Sequence, residues 1–304
     1  MKLQNTAWIF AMLARLSVYR KIYDGRQIVR LYLKYRRRRN EKPYKIRGIL
    51  RRSGHVHVIR QGGMEVLRLR RPDRRNDRHI LYLHGSGYVM QPTFFHRKFF
   101  LELGRRYEAE VRMPLYPKAP NAHFAETSEK LIRLYAELLA ETEPANIVIA
   151  GDSSGGASAL ALAQSLLGKG MPQPGRLLLI SPVLDSSMIN PDIPPLEPKD
   201  PLQVVSAIRE FGKAWAGGQD LTHPGVSPLY GPVQGLADMV LVAGTSEILL
   251  PDIRRLQKRI EVEGGQVQLF EYDGMMHDFP LLPIPEADRV LKQIGDVLYV
   301  KPVK

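Results

Sequence analysis

Three stretches of the chain carry side chains that could perform nucleophilic chemistry together. Gly151-Asp152-Ser153-Ser154-Gly155 has the G-x-S-x-G spacing. In that pattern a serine sits on a strained strand-to-helix turn, and the flanking glycines keep Cβ atoms off the neighbouring backbone. A serine hydroxyl is a weak nucleophile until a base takes its proton. His277, in Asp273-Gly-Met-Met-His277-Asp-Phe279, lies downstream where such a base would follow. Between them Gly244-Thr-Ser-Glu247-Ile-Leu-Leu-Pro-Asp252 offers two carboxylates. Glu247 is the choice for the acid that orients the imidazole, because it comes soon after a strand end. Asp252 follows Pro251 and reads as a first-turn helix residue that supports the site. The order serine, acid, histidine fits one known arrangement of such triads.

Upstream, another strand ends in His84-Gly85-Ser86-Gly87-Tyr88, an HGGG-type loop with Ser86 in place of one glycine. Gly85, Ser86, Gly87 and Ser154 would form the oxyanion hole, with the amides of Ser86, Gly87 and Ser154 as donors. Losing one such donor typically costs about 10² to 10³ in rate. His84 is expected to bond the loop backbone, and Asp152 to be a structural partner in the turn. Other readings stay open on these residues alone. A glycine-rich turn can simply pack or cradle a phosphate, although no Lys-Ser/Thr pair follows to make a P-loop. A histidine such as His277 can be a satisfied core residue.

These residues need a scaffold, and the hydrophobic pattern supplies one. Short apolar strands are expected at 80–83, 109–115, 147–150, 177–180, 239–242 and 267–272, and helices at 95–106, 125–141, 154–168, 251–263 and 286–298. That alternation is the signature of βαβ units, so the fold class is α/β with a parallel sheet and helices on both faces. Alternation from Ile46 through Gly48 and Leu50, then Val56, Val58, Val66 and Leu69, predicts antiparallel edge strands, turning at Gly62-Gly63. Apolar spacing from Trp8 to Tyr35 predicts one or two amphipathic helices broken near Asp24-Gly25. Residues 183–226 are too long for an ordinary crossover, and helical spacing over 203–215 suggests an inserted cap above the carboxyl ends of the strands.

The 304 residues, 44% hydrophobic and 25% charged, have ordinary globular composition. Cysteine is absent, which excludes a disulfide, a thiolate metal site or a cysteine nucleophile. His55 and His57 lack a nearby carboxylate cluster and read as a strand face, so no metal is expected there. The net charge of +13 is uneven: residues 1–80 hold 23 Lys and Arg against 5 Asp and Glu. Such an excess is most simply a solvated basic face, with anionic lipid the next reading. Nucleic acid is disfavoured, since no recognition motif accompanies the charge. The apolar run from Thr6 to Ala14 is far short of the roughly 20 residues that span a bilayer, and Arg15 stands where a signal-peptide cleavage site should be. A cytoplasmic protein, soluble or peripheral at the membrane, is therefore expected.

The HGSGY loop, Tyr116-Pro-Lys-Ala-Pro120, GDSSGG and the Glu247 and His277 segments together resemble the hormone-sensitive-lipase-type esterases of the α/β-hydrolase superfamily over about residues 79–280. Ser181-Pro182 with Asp185, Trp215-Ala-Gly-Gly218 and Ser227-Pro-Leu-Tyr-Gly231 are similar to further segments of that family. The resemblance implies an eight-stranded, mostly parallel sheet with a helical cap. Cap helices would occupy 1–45, the core 46–182 and 227–304, and the inserted cap segment 183–226. It also implies cofactor-free hydrolysis of carboxylic esters through an acyl-enzyme. Ser86 for glycine, Ser154 for alanine, Ala157 for asparagine and Glu247 for aspartate depart from the family's usual residues. Short acyl chains on a small-molecule ester are expected, with Trp8, Phe10, Met12 and Trp215 as candidates to line a pocket or to pack cap against core. The alternatives are a membrane-surface lipase for longer chains and a non-catalytic small-molecule-binding homologue. A homodimer is a further option that the sequence leaves open.

Overall fold

A computed structural model describes residues 26–46, 48–70 and 77–298. The expectations placed on Thr6–Ala14, on the first part of the N-terminal amphipathic stretch, and on Trp8, Phe10 and Met12 lie outside the described residues.

Eight strands form one sheet: β1 (Val56–Gln61), β2 (Met64–Leu69), β3 (His79–Leu83), β4 (Glu110–Pro114), β5 (Ile147–Asp152), β6 (Arg176–Ile180), β7 (Met239–Gly244) and β8 (Val267–Tyr272). Their spatial order is β1-β2-β4-β3-β5-β6-β7-β8. β2 runs antiparallel to both neighbours, and β3 to β8 are mutually parallel. Gly62 and Gly63, at φ 58° and 71°, make the tight turn between β1 and β2. The central strands β3, β4, β5 and β7 are buried along their whole length; Ile147–Ala150 of β5 and Met239–Ala243 of β7 accordingly read as continuous apolar runs, whereas β4 carries the buried pair Glu110 and Arg112, 2.7 Å apart. The edge strands β1 and β8 are only partly buried.

Eight α-helices accompany the sheet among the described residues: α1 (Arg26–Asn40), α2 (Ile49–Arg52), α3 (Phe94–Arg106), α4 (Phe124–Leu139), α5 (Ser153–Gly168), α6 (Val205–Ala216), α7 (Leu250–Val262) and α8 (Pro285–Leu298). Strand side chains point alternately to the two faces. Leu81, Leu83, Ile147 and Ile149 pack with α4, α5 and α7 in one core layer. Ile80, Tyr82, Val148 and Ala150 pack with α3 and α8 in the other.

One expected element differs. The alternation Ile46-Gly48-Leu50 does not continue as a strand: Gly48 takes φ 58° and the chain enters the short helix α2. A left-handed residue breaks the extended backbone there, and the helical turn sends Leu50 into the core layer beneath α3.

α1 and α6 cover the carboxyl end of the sheet. Arg30 on α1 pairs with Glu210 on α6 at 3.3 Å. Arg36 and Asn40 donate to the Val89 carbonyl, each at 3.1 Å, and Asn40 also donates to the Ala119 carbonyl at 3.1 Å. α1 is thereby fastened to the loops that follow β3 and β4.

Candidate active site

β5 delivers Ser153 to the floor of an apolar cavity. The strand ends at Asp152, and Ser153 opens α5 at φ 51°, a conformation that an L-residue holds only under local constraint. The constraint is visible in the glycines. A Cβ on Gly151 would lie 2.4 Å from the Gly155 carbonyl oxygen, and one on Gly155 would lie 2.0 Å from the Leu83 oxygen. Only hydrogen allows the turn to close against itself and against the end of β3.

The structure brings the three predicted groups together. His277, in the loop after β8, places Nε2 3.0 Å from Ser153 Oγ. Its Nδ1 lies 2.9 Å from Glu247 Oε2. Glu247 belongs to the loop after β7, and its other oxygen accepts from the Gly244 amide at 2.7 Å and the Ser181 hydroxyl at 3.0 Å. Glu247 is fully buried and His277 nearly so. Burial presses the imidazole towards its neutral form, but the carboxylates of Asp278 and Glu247 more than reverse this, so its pKa is raised well above the usual value. Asp252 stands apart from this trio in the first turn of α7, where Asn190 of the 183–226 segment donates to it at 2.8 Å and burial raises its carboxyl to about 6.

The loop after β3 holds Gly85, Ser86 and Gly87. Ser86, Gly87 and Tyr88 all have positive φ. Tyr88 donates its amide to Ser154 Oγ at 3.1 Å, so the serine that replaces the family's usual alanine pins this loop to the start of α5. The Gly85 amide donates to Asp152 Oδ2 at 2.9 Å. Gly85 therefore contributes space and anchorage to the turn. A Cβ on Gly85 would lie 2.2 Å from Asp152 Oδ2 and 2.9 Å from the Ser153 Cβ.

His84 and Asp152 do supporting work. His84 Nδ1 donates to the Gly85 carbonyl at 2.6 Å, and the ring stacks on Tyr116 with centroids 4.8 Å apart. Burial holds its pKa well below the usual value, which keeps a cation out of the loop. Asp152 accepts from the Tyr82 hydroxyl at 2.5 Å and also meets His96 Nε2 at 3.1 Å. With the Gly85 bond, one buried carboxylate ties β3, β5 and α3 together beside Ser153.

Three contributors were not singled out by sequence reasoning. His96 completes a capping box with Thr93 at the start of α3, and a Thr-x-x-His spacing before a helix was the available signal. Asp200 accepts the Ile248 amide at 2.9 Å and so supports the loop that bears Glu247; no local pattern marks a partner 48 positions away. Asp278 Oδ2 lies 3.2 Å from His277 Nε2, and only adjacency to His277 pointed to it.

The cavity above Ser153 has a volume of about 600 Å³ and is lined mainly by apolar side chains, among them Phe94, Phe95, Val183, Ile208, Phe211 and Leu281. Trp215 is not part of it. The indole stacks on Tyr88 at 4.7 Å and faces a separate cavity beside Phe124 and His223, so it packs the cap against the core. Among the described residues no three His, Cys, Asp or Glu converge as a metal site requires.

A family profile for the alpha/beta hydrolase fold matches residues 80–281. The chain is 30% identical over 233 residues to an acetyl-hydrolase of Streptomyces hygroscopicus, covering 75% of this chain and 77% of that one. Among solved structures, a Staphylococcus aureus protein superposes with a TM-score of 0.87 at 30% identity, over 92% of this chain and 95% of that one. An esterase described as a member of the bacterial hormone-sensitive lipase family superposes at 0.75 with 26% identity, over 89% and 97% of the two chains. With the strand order, the serine turn and the HGSGY loop in place, the chain belongs to the hormone-sensitive-lipase-type branch of the α/β-hydrolase superfamily.

Proposed function

We propose that the protein hydrolyses carboxylic esters with short acyl chains through an acyl-enzyme on Ser153. The observation that carries this reading is the continuous relay from Ser153 Oγ to His277 (3.0 Å) to Glu247 (2.9 Å) at the floor of an apolar cavity. His277 takes the hydroxyl proton as the oxygen attacks the ester carbonyl, and the amides of Ser86, Gly87 and Ser154 receive the charge that develops on the carbonyl oxygen. The imidazolium then returns the proton to the departing alcohol. A water, deprotonated in turn by His277, releases the acid and restores the serine. Glu247 fixes the ring orientation and favours its cationic form throughout. A cavity within the range of about 300–1,000 Å³ common for small-ligand sites holds both halves of a small ester.

A serine-reactive fluorophosphonate and a nitrophenyl ester series from acetate to long chains test this. The reading expects one adduct, absent in Ser153→Ala, and turnover that falls as the acyl chain lengthens. A non-catalytic binding homologue would give neither adduct nor turnover.

One observation favours an additional surface role. On α1 the side chains of Ile28, Leu31 and Tyr35 share a face and are exposed by 47%, 64% and 54%. Exposed Lys34, Arg37, Arg38 and Arg39 lie on the same helix. Such a face suits the interface of an anionic membrane. Co-sedimentation with phosphatidylglycerol vesicles at low salt, lost in Leu31→Glu and in phosphatidylcholine vesicles, supports the docking reading. Absence of binding at low salt removes it.

A further inference from the structure

We propose that Asp278 is a positioning residue for His277: its carboxylate engages the Nε2 side of the imidazole and sets the pH range in which that ring can activate Ser153. The proposal rests on the triad reading above.

Nε2 has a single position for a proton, and two oxygens face it. Ser153 Oγ is 3.0 Å away and Asp278 Oδ2 is 3.2 Å away. In the neutral ring, with its proton on Nδ1 towards Glu247, Nε2 presents a lone pair. That lone pair can accept from the serine hydroxyl but repels a carboxylate. In the imidazolium, the Nε2 proton is directed at the serine oxygen, and the carboxylate 3.2 Å from that nitrogen attracts the charge of the ring. A second anion on this nitrogen therefore favours the protonated ring, the form that cannot act as base.

The carboxylate is built into this place. Asp278 adopts φ 55° and ψ 25°, a left-handed conformation that aspartate and asparagine tolerate better than most residues. Its amide donates to Ser181 Oγ at 3.2 Å, and the same hydroxyl donates to Glu247 Oε1 at 3.0 Å. One serine thus sets the spacing of the carboxylates on the two sides of the ring. Asp278 Oδ1 is buried without a hydrogen-bond partner, so the charge of this carboxylate is not consumed by other donors.

The remaining charged groups around the pair are already committed. Asp200, from the segment before α6, acts on His277 electrostatically, but its oxygens accept the amides of Leu202, Gln203 and Ile248. Asp152 on β5 is held by Tyr82 of β3, His96 of α3 and the Gly85 amide; Asp152, His96 and Tyr82 each interact electrostatically with Asp278. Glu247 sits on Nδ1. Asp278 is the carboxylate that faces the working nitrogen. Burial raises its own carboxyl to about 6, so at neutral pH it remains an anion beside the ring.

The expected consequence is a displaced acid limb. The imidazolium must lose its proton before it can serve as base, and Asp278 moves that loss to higher pH. During turnover the carboxylate takes no proton. The Ser153 proton passes to Nε2 and on to the leaving alcohol, while Asp278 stabilises the intermediate cation.

The test compares kcat/KM of a nitrophenyl ester, and the rate of fluorophosphonate labelling, across about pH 5 to 10 in wild type, Asp278→Asn and Asp278→Gly. Both replacements suit a left-handed residue. The expected result is an acid limb shifted downwards by about one to three pH units in both variants, within the range an adjacent charge produces. Near pH 6 each variant then retains a larger fraction of its own plateau than wild type does. Limbs that coincide with the wild-type limb, with only the plateau lowered, would overturn the proposal and leave Asp278 a structural residue. The wild-type labelling is read first: a folded wild type that takes no label removes the triad reading itself, and the proposal with it.

Discussion

Replacing Gly155 by alanine should disable the site without touching a reacting atom. The added Cβ would stand 2.0 Å from the Leu83 carbonyl oxygen, 2.6 Å from the His84 carbonyl carbon and 2.7 Å from the His84 oxygen. All three are backbone atoms at the end of β3, where the donor loop begins, so relief requires α5 and the loop to part by about 1.5 Å, given contacts of roughly 3.5 Å at optimum. A shift of that size misplaces the amides of Ser86 and Gly87 relative to Ser153. A displacement of about 1 Å can cost about 10² in rate, and loss of one oxyanion donor costs about 10² to 10³. We expect kcat/KM for a nitrophenyl acetate to fall at least about 100-fold. Overpacking should cost about 1–3 kcal/mol, lowering Tm by several degrees at about 2–4 °C per kcal/mol. Gly156→Ala is the internal comparison: its Cβ would meet the Pro182 Cβ at 3.0 Å and the Gly151 oxygen at 3.2 Å, which small shifts can accommodate. An assay in which Gly155→Ala keeps wild-type activity and Tm, or in which the two variants lose equally, would refute this reasoning.

Ser154→Ala removes the acceptor of the Tyr88 amide; a buried donor left unpaired costs about 1–3 kcal/mol, so Tm should drop while fluorophosphonate labelling of Ser153 persists. Lys118 is buried, donates to the Tyr116 carbonyl at 2.6 Å, and is pushed by burial from 10.5 down to about 7. The unfolded chain therefore binds one more proton than the native state between those values, and stability contributed at this site rises with pH across that window. Denaturant unfolding should show wild type gaining on Lys118→Met between about pH 7 and pH 10, and parallel curves would contradict the shift. Asp152→Ala deprives Tyr82, His96 and the Gly85 amide of their shared acceptor; we expect a loss of about 3–5 kcal/mol in denaturant unfolding, against a smaller loss in Asp152→Asn, which keeps one oxygen.

What the sequence displayed clearly was whatever depends on local period or fixed spacing. The apolar runs at 147–150 and 239–242 lie inside β5 and β7, and the helical spacing over 203–215 became α6 at 205–216. Ser153, Glu247 and His277, which meet in the structure, were legible because a serine on a glycine turn, a carboxylate after one strand and a histidine after the next follow chain order. Other parts depend on atoms brought together from afar. Leu50 fits a strand pattern until Gly48 turns the chain, because a glycine's φ does not show in hydrophobicity. His96 and Asp152 meet across 56 positions, and nothing in either neighbourhood announces the pairing. Asp278 was visible as a letter beside His277, but its side chain could have pointed anywhere. Its left-handed backbone turns the carboxylate back onto Nε2.

Intact-mass measurement of fluorophosphonate labelling on purified wild type and Ser153→Ala tests the central claim most directly. The account predicts a single adduct on wild type and none on the variant, with both proteins folded by circular dichroism. A folded wild type that stays unlabelled, or a Ser153→Ala protein that labels equally well, would contradict it.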